Sequence, residues 1–178
     1  MILKNKQDIE KWLQKNHIRN YTIHENLIVD VDSDVGLYNI GLSSIPIQFG
    51  IVNGYFECSH NNLYSLKGCP REVNGDACFN HNCLISLEYC PTFIKRDFML
   101  YDNPILDINL QEFPQEIGGD ICLGNKEFDL CSKIKSLEEL YNNKGTLVST
   151  LQSIKSHVLK NSLENKLNIK ISQSKLKI

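Results

Sequence analysis

The 178-residue chain has little of what proteins use to cross membranes, leave the cell or carry out standard catalysis. No apolar run approaches the roughly 20 residues of a helical membrane span, so none is expected. The opening stretch, Met-Ile-Leu-Lys-Asn-Lys-Gln-Asp, lacks the apolar centre of a secretory signal. Asn20-Tyr-Thr22 matches a glycosylation sequon and is read as chance for that reason. Seven cysteines, an odd number, include no Cys-x-x-Cys pair. Reduced thiols in a cytoplasmic protein are expected rather than a disulfide framework. No phosphate loop, dinucleotide fingerprint or zinc-protease motif is present. The chain is therefore expected not to be an enzyme and to need no cofactor.

Charge is ordinary in amount and uneven in placement. Charged residues make up 22% of the chain and hydrophobic residues 42%, usual for a globular domain with a sizeable core. The net charge is −2. From Asn143 to Ile178 seven lysines stand against Glu164 alone, a net of +6, which leaves −8 on the residues before them. That tail has no arginine and few aromatic rings for stacking on bases, and the body's acidity opposes a phosphate backbone. Nucleic acid is thus the less favoured partner, with Lys155, Lys160, Lys166, Lys170, Lys175 and Lys177 as the residues that would carry it.

What the chain does contain is a repeat. Val52-Asn-Gly-Tyr-Phe56-Glu-Cys58-Ser-His-Asn61-Asn-Leu63-Tyr-Ser-Leu66 returns 21 residues later as Val73 to Leu87, and again as Ile94 to Ile108. A worn copy starts 23 residues further on, at Ile117 to Phe128, and a degenerate one precedes them with Val31, Val35, Leu37, Leu42 and Ile45. A fixed period near 21 residues predicts a solenoid, whose units bury their apolar sides only by stacking.

Within each unit, apolar or small residues recur at every second position (Val52, Gly54, Phe56, Cys58), which reads as one buried strand face. The Asn at the tenth position is expected to turn the chain. Leu63 and Leu66 pack the return path inside, and Gly68-Cys-Pro70 closes the loop. Ahead of the stack, residues 7–16 read as a helix and Tyr21 to Val31 as a strand, together an N-terminal cap over 1–30. After it, Ser136 to Tyr141 and the spacing of Leu147, Leu151, Ile154 and Val158 read as helices of a C-terminal cap and basic tail over 129–178.

The pattern Phe56-x-Cys58-x-x-Asn61-x-Leu63, with Ala77-x-Phe79-x-x-Asn82-x-Leu84 and Phe98-x-Leu100-x-x-Asn103-x-Ile105, resembles the leucine-rich repeat over about residues 31–128. It departs from that family in placing the preceding apolar residue four positions ahead of the strand, and in losing the Asn at Ile40 and Lys126. The fuller wording, Val-x-Gly-x-Phe-x-Cys-x-x-Asn-x-Leu-x-Ser-Leu-x-Gly-x-Pro, is similar to short repeat proteins of tailed bacteriophages and prophages. The resemblance implies an α/β solenoid of about five 21-residue units, one parallel sheet on its concave side and helical caps at both ends. Some leucine-rich-repeat effectors carry a separate catalytic domain, but the roughly 50 residues after the repeats are too few for one.

Alternation also places outward columns. One reads Asp34, Tyr55, Asp76, Asp97, Asp120; the next Gly36, Glu57, Cys78, Met99, Cys122; the third Tyr38, Ser59, Asn80, Tyr101, Gly124. Stacked about 4.8 Å apart, the carboxylates would form an acidic strip flanked by Tyr38, Tyr55, Met99 and Tyr101. Its alternative role is architectural, each carboxylate accepting backbone hydrogen bonds near a strand start. The functional reading makes Asp34, Tyr38, Tyr55, Glu57, Asp76, Asp97, Met99, Tyr101 and Asp120 the binding surface for a protein with a basic face. The phage resemblance adds that the partner would be a host protein, inhibited or redirected in the host cytoplasm. His60 and His81, one repeat apart with Cys58, Cys83 and Asp102 nearby, are the residues a metal would use. No local ligand spacing supports them, and a repeated turn position that tolerates His accounts for both. Cys78 or Cys122 with His81 would make a nucleophile-and-base pairing, His81 being close in sequence. Cysteines scattered through repeats are more often small core residues.

Overall fold

A computed structural model describes residues 2–105, 112–125 and 128–132, with backbone alone for 123–125 and 128–132. These lie within one compact unit, Met1–Glu139; the second unit, Leu140–Ile178, lies outside the described residues. The expected C-terminal helices and the Lys-rich tail fall there or in the stretch leading to it.

The chain opens with α1 (Lys6–Lys15), whose N-cap Asn5 accepts from the Asp8 backbone N–H and whose Ile9 and Leu13 are buried. Trp12 meets Phe49 edge-on at 6.4 Å, which attaches the helix to the core. The segment 21–31 is not one strand but a hairpin: β1 (Tyr21–Ile23) runs antiparallel to β2 (Ile28–Val31). The break falls at Leu27, in the left-handed region at φ 65°.

From β2 onward the chain winds into about four turns of a parallel β-solenoid. Each turn contributes two short strands, to two different sheets. One sheet contains β2, β4 (Gln48–Val52), β6 (Glu72–Val73), β8 (Phe93–Ile94) and β10 (Glu116–Ile117), extended at one end by β1. The other contains β3 (Val35–Gly36), β5 (Phe56–Glu57), β7 (Ala77–Cys78), β9 (Phe98–Met99) and β11 (Ile121–Asn125), extended at the far end by β12 (Phe128–Ser132), antiparallel to β11. Register follows the repeat: Val31, Val52, Val73, Ile94 and Ile117 pair in sequence in the first sheet, and Val35, Phe56, Ala77, Phe98 and Ile121 in the second.

Two expectations are corrected here. The period-two run from Val52 to Cys58 is not one strand. Val52 ends β4 and Phe56 starts β5, with a corner at Asn53-Gly54-Tyr55 between them. A corner that inserts three residues preserves the odd-even count, so alternation runs through it unbroken. The repeat therefore builds two parallel sheets instead of one. Beyond Asp120 the stack continues into the β11–β12 hairpin, and α1 is the only α-helix among the described residues.

The core is packed as expected. Phe56, Phe98, Leu63, Leu84, Leu66 and Leu87 are fully buried. Phe56, Phe79 and Phe98 form a chain of ring contacts at 5.6 and 6.3 Å. The small Ala77 in one column makes room for the large Phe79 in the next, so volume is shared within a turn. The closing loop uses left-handed backbone at Gly68 (φ 97°), where an added Cβ would lie 2.5 Å from the Ile47 carbonyl oxygen. One turn later Tyr89 occupies the same position at φ 68°.

Candidate functional site

The solenoid's polar columns show how such short strands are held in register. The Asn column lies inside. Asn82 Oδ1 accepts from the Leu63 N–H of the preceding turn at 3.0 Å, and its Nδ2 donates to the carbonyls of Cys58, Phe79 and Asn80 at 3.0–3.2 Å. Asn61 repeats this toward Leu42 and Leu37, and Asn103 toward Leu84 and Phe79. The Asn does not itself make the turn. The residue before it does, since Asn39, His60, His81 and Asp102 all lie in the left-handed region, at φ between 51° and 57°.

The Asp column sits at the outer corner. Asp34 Oδ1 accepts from Tyr55 N–H at 3.0 Å, Asp76 Oδ1 from Asp97 N–H at 3.1 Å, and Asp97 Oδ1 from Asp120 N–H at 2.9 Å. Each carboxylate thus bonds the backbone of the next turn at the same corner. The preceding column is glycine at 54, 75 and 119. A Cβ on Gly54 would overlap the Asp34 carboxylate, and one on Gly119 that of Asp97. Where this column carries Arg96, the guanidinium Nε lies 3.5 Å from Asp76 Oδ1.

Of the other outward residues, Tyr38 and Tyr55 are 54% and 44% exposed. Glu57, Met99 and Tyr101 are half-buried. Ser59, expected on the surface, is only 3% exposed. Its hydroxyl accepts from the Asn80 N–H at 3.1 Å, and Asn80 Oδ1 from the Tyr101 N–H at 2.7 Å. This column leaves the strand and serves as a third ladder, which alternation alone could not reveal.

His60 and His81 stack face to face, 4.1 Å between centroids, with Tyr38 5.0 Å from His60 and Asp102 Oδ2 3.0 Å from His81 Nδ1. Imidazole ligates in the plane of its ring, and a stacked pair directs ring faces, not nitrogens, at each other. Among the described residues no group of three or more His, Cys, Asp or Glu is placed to hold a metal. The ring ladder was not anticipated from the sequence. Its signal was the recurrence of a planar side chain at each left-handed position.

Burial holds four of the thiols, Cys58, Cys69, Cys78 and Cys90, in the protonated form. No disulfide joins the six cysteines whose side chains are described. Burial pushes the Cys58 thiol up to about 12, with the Glu57 charge adding to it. Burial does the same to Cys78, also to about 12, helped by Glu57, Asp76 and Asp97. Cys69 and Cys90 donate to the carbonyls of Tyr89 and Glu112 at 2.8 and 2.7 Å. A nucleophile needs the thiolate, and the acidic surroundings of Cys78 disfavour it. At Asp30, burial works against the charge, but the Ile51 N–H and the His24 ring outweigh it. They hold the carboxyl below its ordinary 3.8.

Compared with known proteins, the chain matches no family model, no curated protein and no solved structure. Among the described residues no helix is long and apolar enough to cross a membrane.

Proposed function

We propose that the chain is a protein-binding module of the leucine-rich-repeat-like kind, engaging a basic partner through the outer face of the sheet that runs from β3 to β11. The observation that carries this reading is the fixed alignment of Asp34, Asp76, Asp97 and Asp120 beside exposed Tyr38 and Tyr55. Only one oxygen of Asp34, Asp76 or Asp97 appears in these ladder bonds, so the columns can be architectural and still present negative charge. Side chains already held by the stack lose little conformational freedom on binding, which favours recognition by rigid arrays. The phage resemblance would make the target a host protein, with inhibition or redirection as the result. No catalytic role is assigned.

The test neutralises charge without removing the ladder. Asp76→Asn and Asp97→Asn together keep an acceptor oxygen for each backbone N–H. Partner capture from host lysate should fall at least tenfold in the double variant. For the wild type it should weaken with added salt, screening acting over ~8 Å at physiological ionic strength. Equal capture by both proteins, or loss of capture only when residues 161–178 are removed, would overturn the reading. The second result would favour the Lys-rich tail and nucleic acid.

A further inference from the structure

The two sheets end differently at the N-terminal end. In the first, β1 adds one strand beyond β2. In the second, β3 is the last strand among the described residues, paired there with β5. At the opposite end of that sheet the antiparallel β12 is the last described strand, so β3 is the sheet's edge at the N-terminal end.

The edge can be located residue by residue. Val35, Leu37 and Asn39 donate to the carbonyls of Tyr55, Glu57 and Ser59 at 2.7–3.1 Å. In a parallel ladder alternate residues turn their N–H and C=O to opposite sides. The intervening residues, Asp34, Gly36 and Tyr38, therefore direct theirs away from β5, where no strand lies among the described residues. Gly36 is exposed, and a Cβ built on it would meet nothing within 4 Å. Natural proteins usually blunt such an edge with lysine, proline or a covering segment. Here the edge strand carries neither lysine nor proline.

The charge around it is one-sided. Between Arg19 and Lys67 there is no lysine or arginine, while Glu25, Asp30, Asp32, Asp34 and Glu57 are all acidic. Asp32 and Asp34, immediately before β3, are exposed. Arg19 flanks the turn, its carbonyl bonded to Ser33 Oγ at 3.3 Å.

We infer that the β3 edge accepts one extended, lysine- or arginine-bearing segment of a partner protein as an added strand. Its backbone pairs with the N–H and C=O of Gly36, and its basic side chains lie beside Asp32 and Asp34. A second copy of the chain fits less well. It would bring its own β1 against the first copy's β1, adding two layers to one sheet where the other lacks one. A single strand fills the one missing layer. This inference rests on the protein-binding reading and gives the partner's contacting segment a conformation and a charge.

The test uses the full chain and three labelled ten-residue peptides: alternating Lys-Val, alternating Glu-Val and alternating Lys-Pro. Lys-Val should bind saturably, one per chain, by fluorescence anisotropy. Lys-Pro has the same charge but lacks half of the backbone donors, and should bind at least tenfold more weakly. Glu-Val should not bind. Gly36→Pro should weaken Lys-Val binding at least tenfold with an unchanged Tm, because proline is tolerated where the N–H faces outward from an edge. Asp34→Asn, which keeps the acceptor for Tyr55 N–H, should weaken it severalfold and serves if the proline variant does not fold. Equal binding of Lys-Val and Lys-Pro, or wild-type binding by either variant, would overturn the proposal. Partner capture lost in Asp76→Asn/Asp97→Asn yet intact in Gly36→Pro would sink the edge and leave the face standing. Capture lost in Gly36→Pro yet intact in Asp76→Asn/Asp97→Asn would do the reverse.

Discussion

The inner Asn column and the outer Asp column solve the same problem in different surroundings. Each ties one turn to its neighbour by a side chain that bonds backbone groups. Asn61 and Asn82 do so in the interior, at 6% and 7% exposure. There both ends of the side chain must be satisfied, and the neutral amide provides an acceptor and two donors in one group. The Asp residues work at a half-exposed corner where water solvates the remaining oxygen, so charge is affordable there. Interior ladders must therefore be complete to be stable, while corner ladders can leave part of each group for other uses.

The largest expected effect lies inside. Asn82→Ala leaves the Leu63 N–H without its acceptor in a dry site, while the Cys58 carbonyl loses one of two donors and keeps Asn61 Nδ2 at 3.1 Å. At about 1–3 kcal/mol for a buried unsatisfied group, with the bonds to three carbonyls lost as well, the loss should be about 2–3 kcal/mol by denaturant unfolding. Asp97→Ala removes one bond, to Asp120 N–H, which water can replace, and should cost about 1 kcal/mol. If the two cost the same, the contrast between the columns fails.

Gly75→Ala comes next. Its Cβ would lie 2.7 Å from the Gly54 carbonyl and the Tyr55 nitrogen. Overpacking against backbone should cost about 1–3 kcal/mol. Arg96 stands in the same column one turn later, so the corner can yield somewhat and the low half of that range is expected. A calorimetric Tm equal to wild type would show that the corner spacing is not set by glycine.

The smallest effect should be that of Asp97→Asn, below about 0.5 kcal/mol, since the amide oxygen can still accept from Asp120 N–H. A cost near that of Asp97→Ala would mean that the charge itself, not the acceptor, holds the corner.

Much of the architecture was legible in the residues. The 21-residue spacing became the strand register without a shift from Val52 through Ile94, because a stacked solenoid must place equivalent atoms one turn apart. The buried set was legible too, from Phe56 and Leu63 to Leu84 and Phe98. The second sheet was not. A three-residue corner at Asn53-Gly54-Tyr55 keeps the same odd-even alternation as a continuous strand, so periodicity cannot tell one from two. Ser59 was misplaced outward for the related reason that alternation stops where the strand stops. Within the proposed surface, the Asp, Tyr and Met columns were legible as columns, but which oxygen bonds which backbone was not.

By itself, the sequence determined the period, the register and the apolar interior, because these depend only on residue spacing and hydrophobicity along the chain. Tertiary structure alone decided that the repeat folds around two sheets, that His60 and His81 stack, and that β3 stands at a sheet edge among the described residues. Those outcomes depend on where the backbone turns and on which strands find neighbours, and neither is a property of any single repeat.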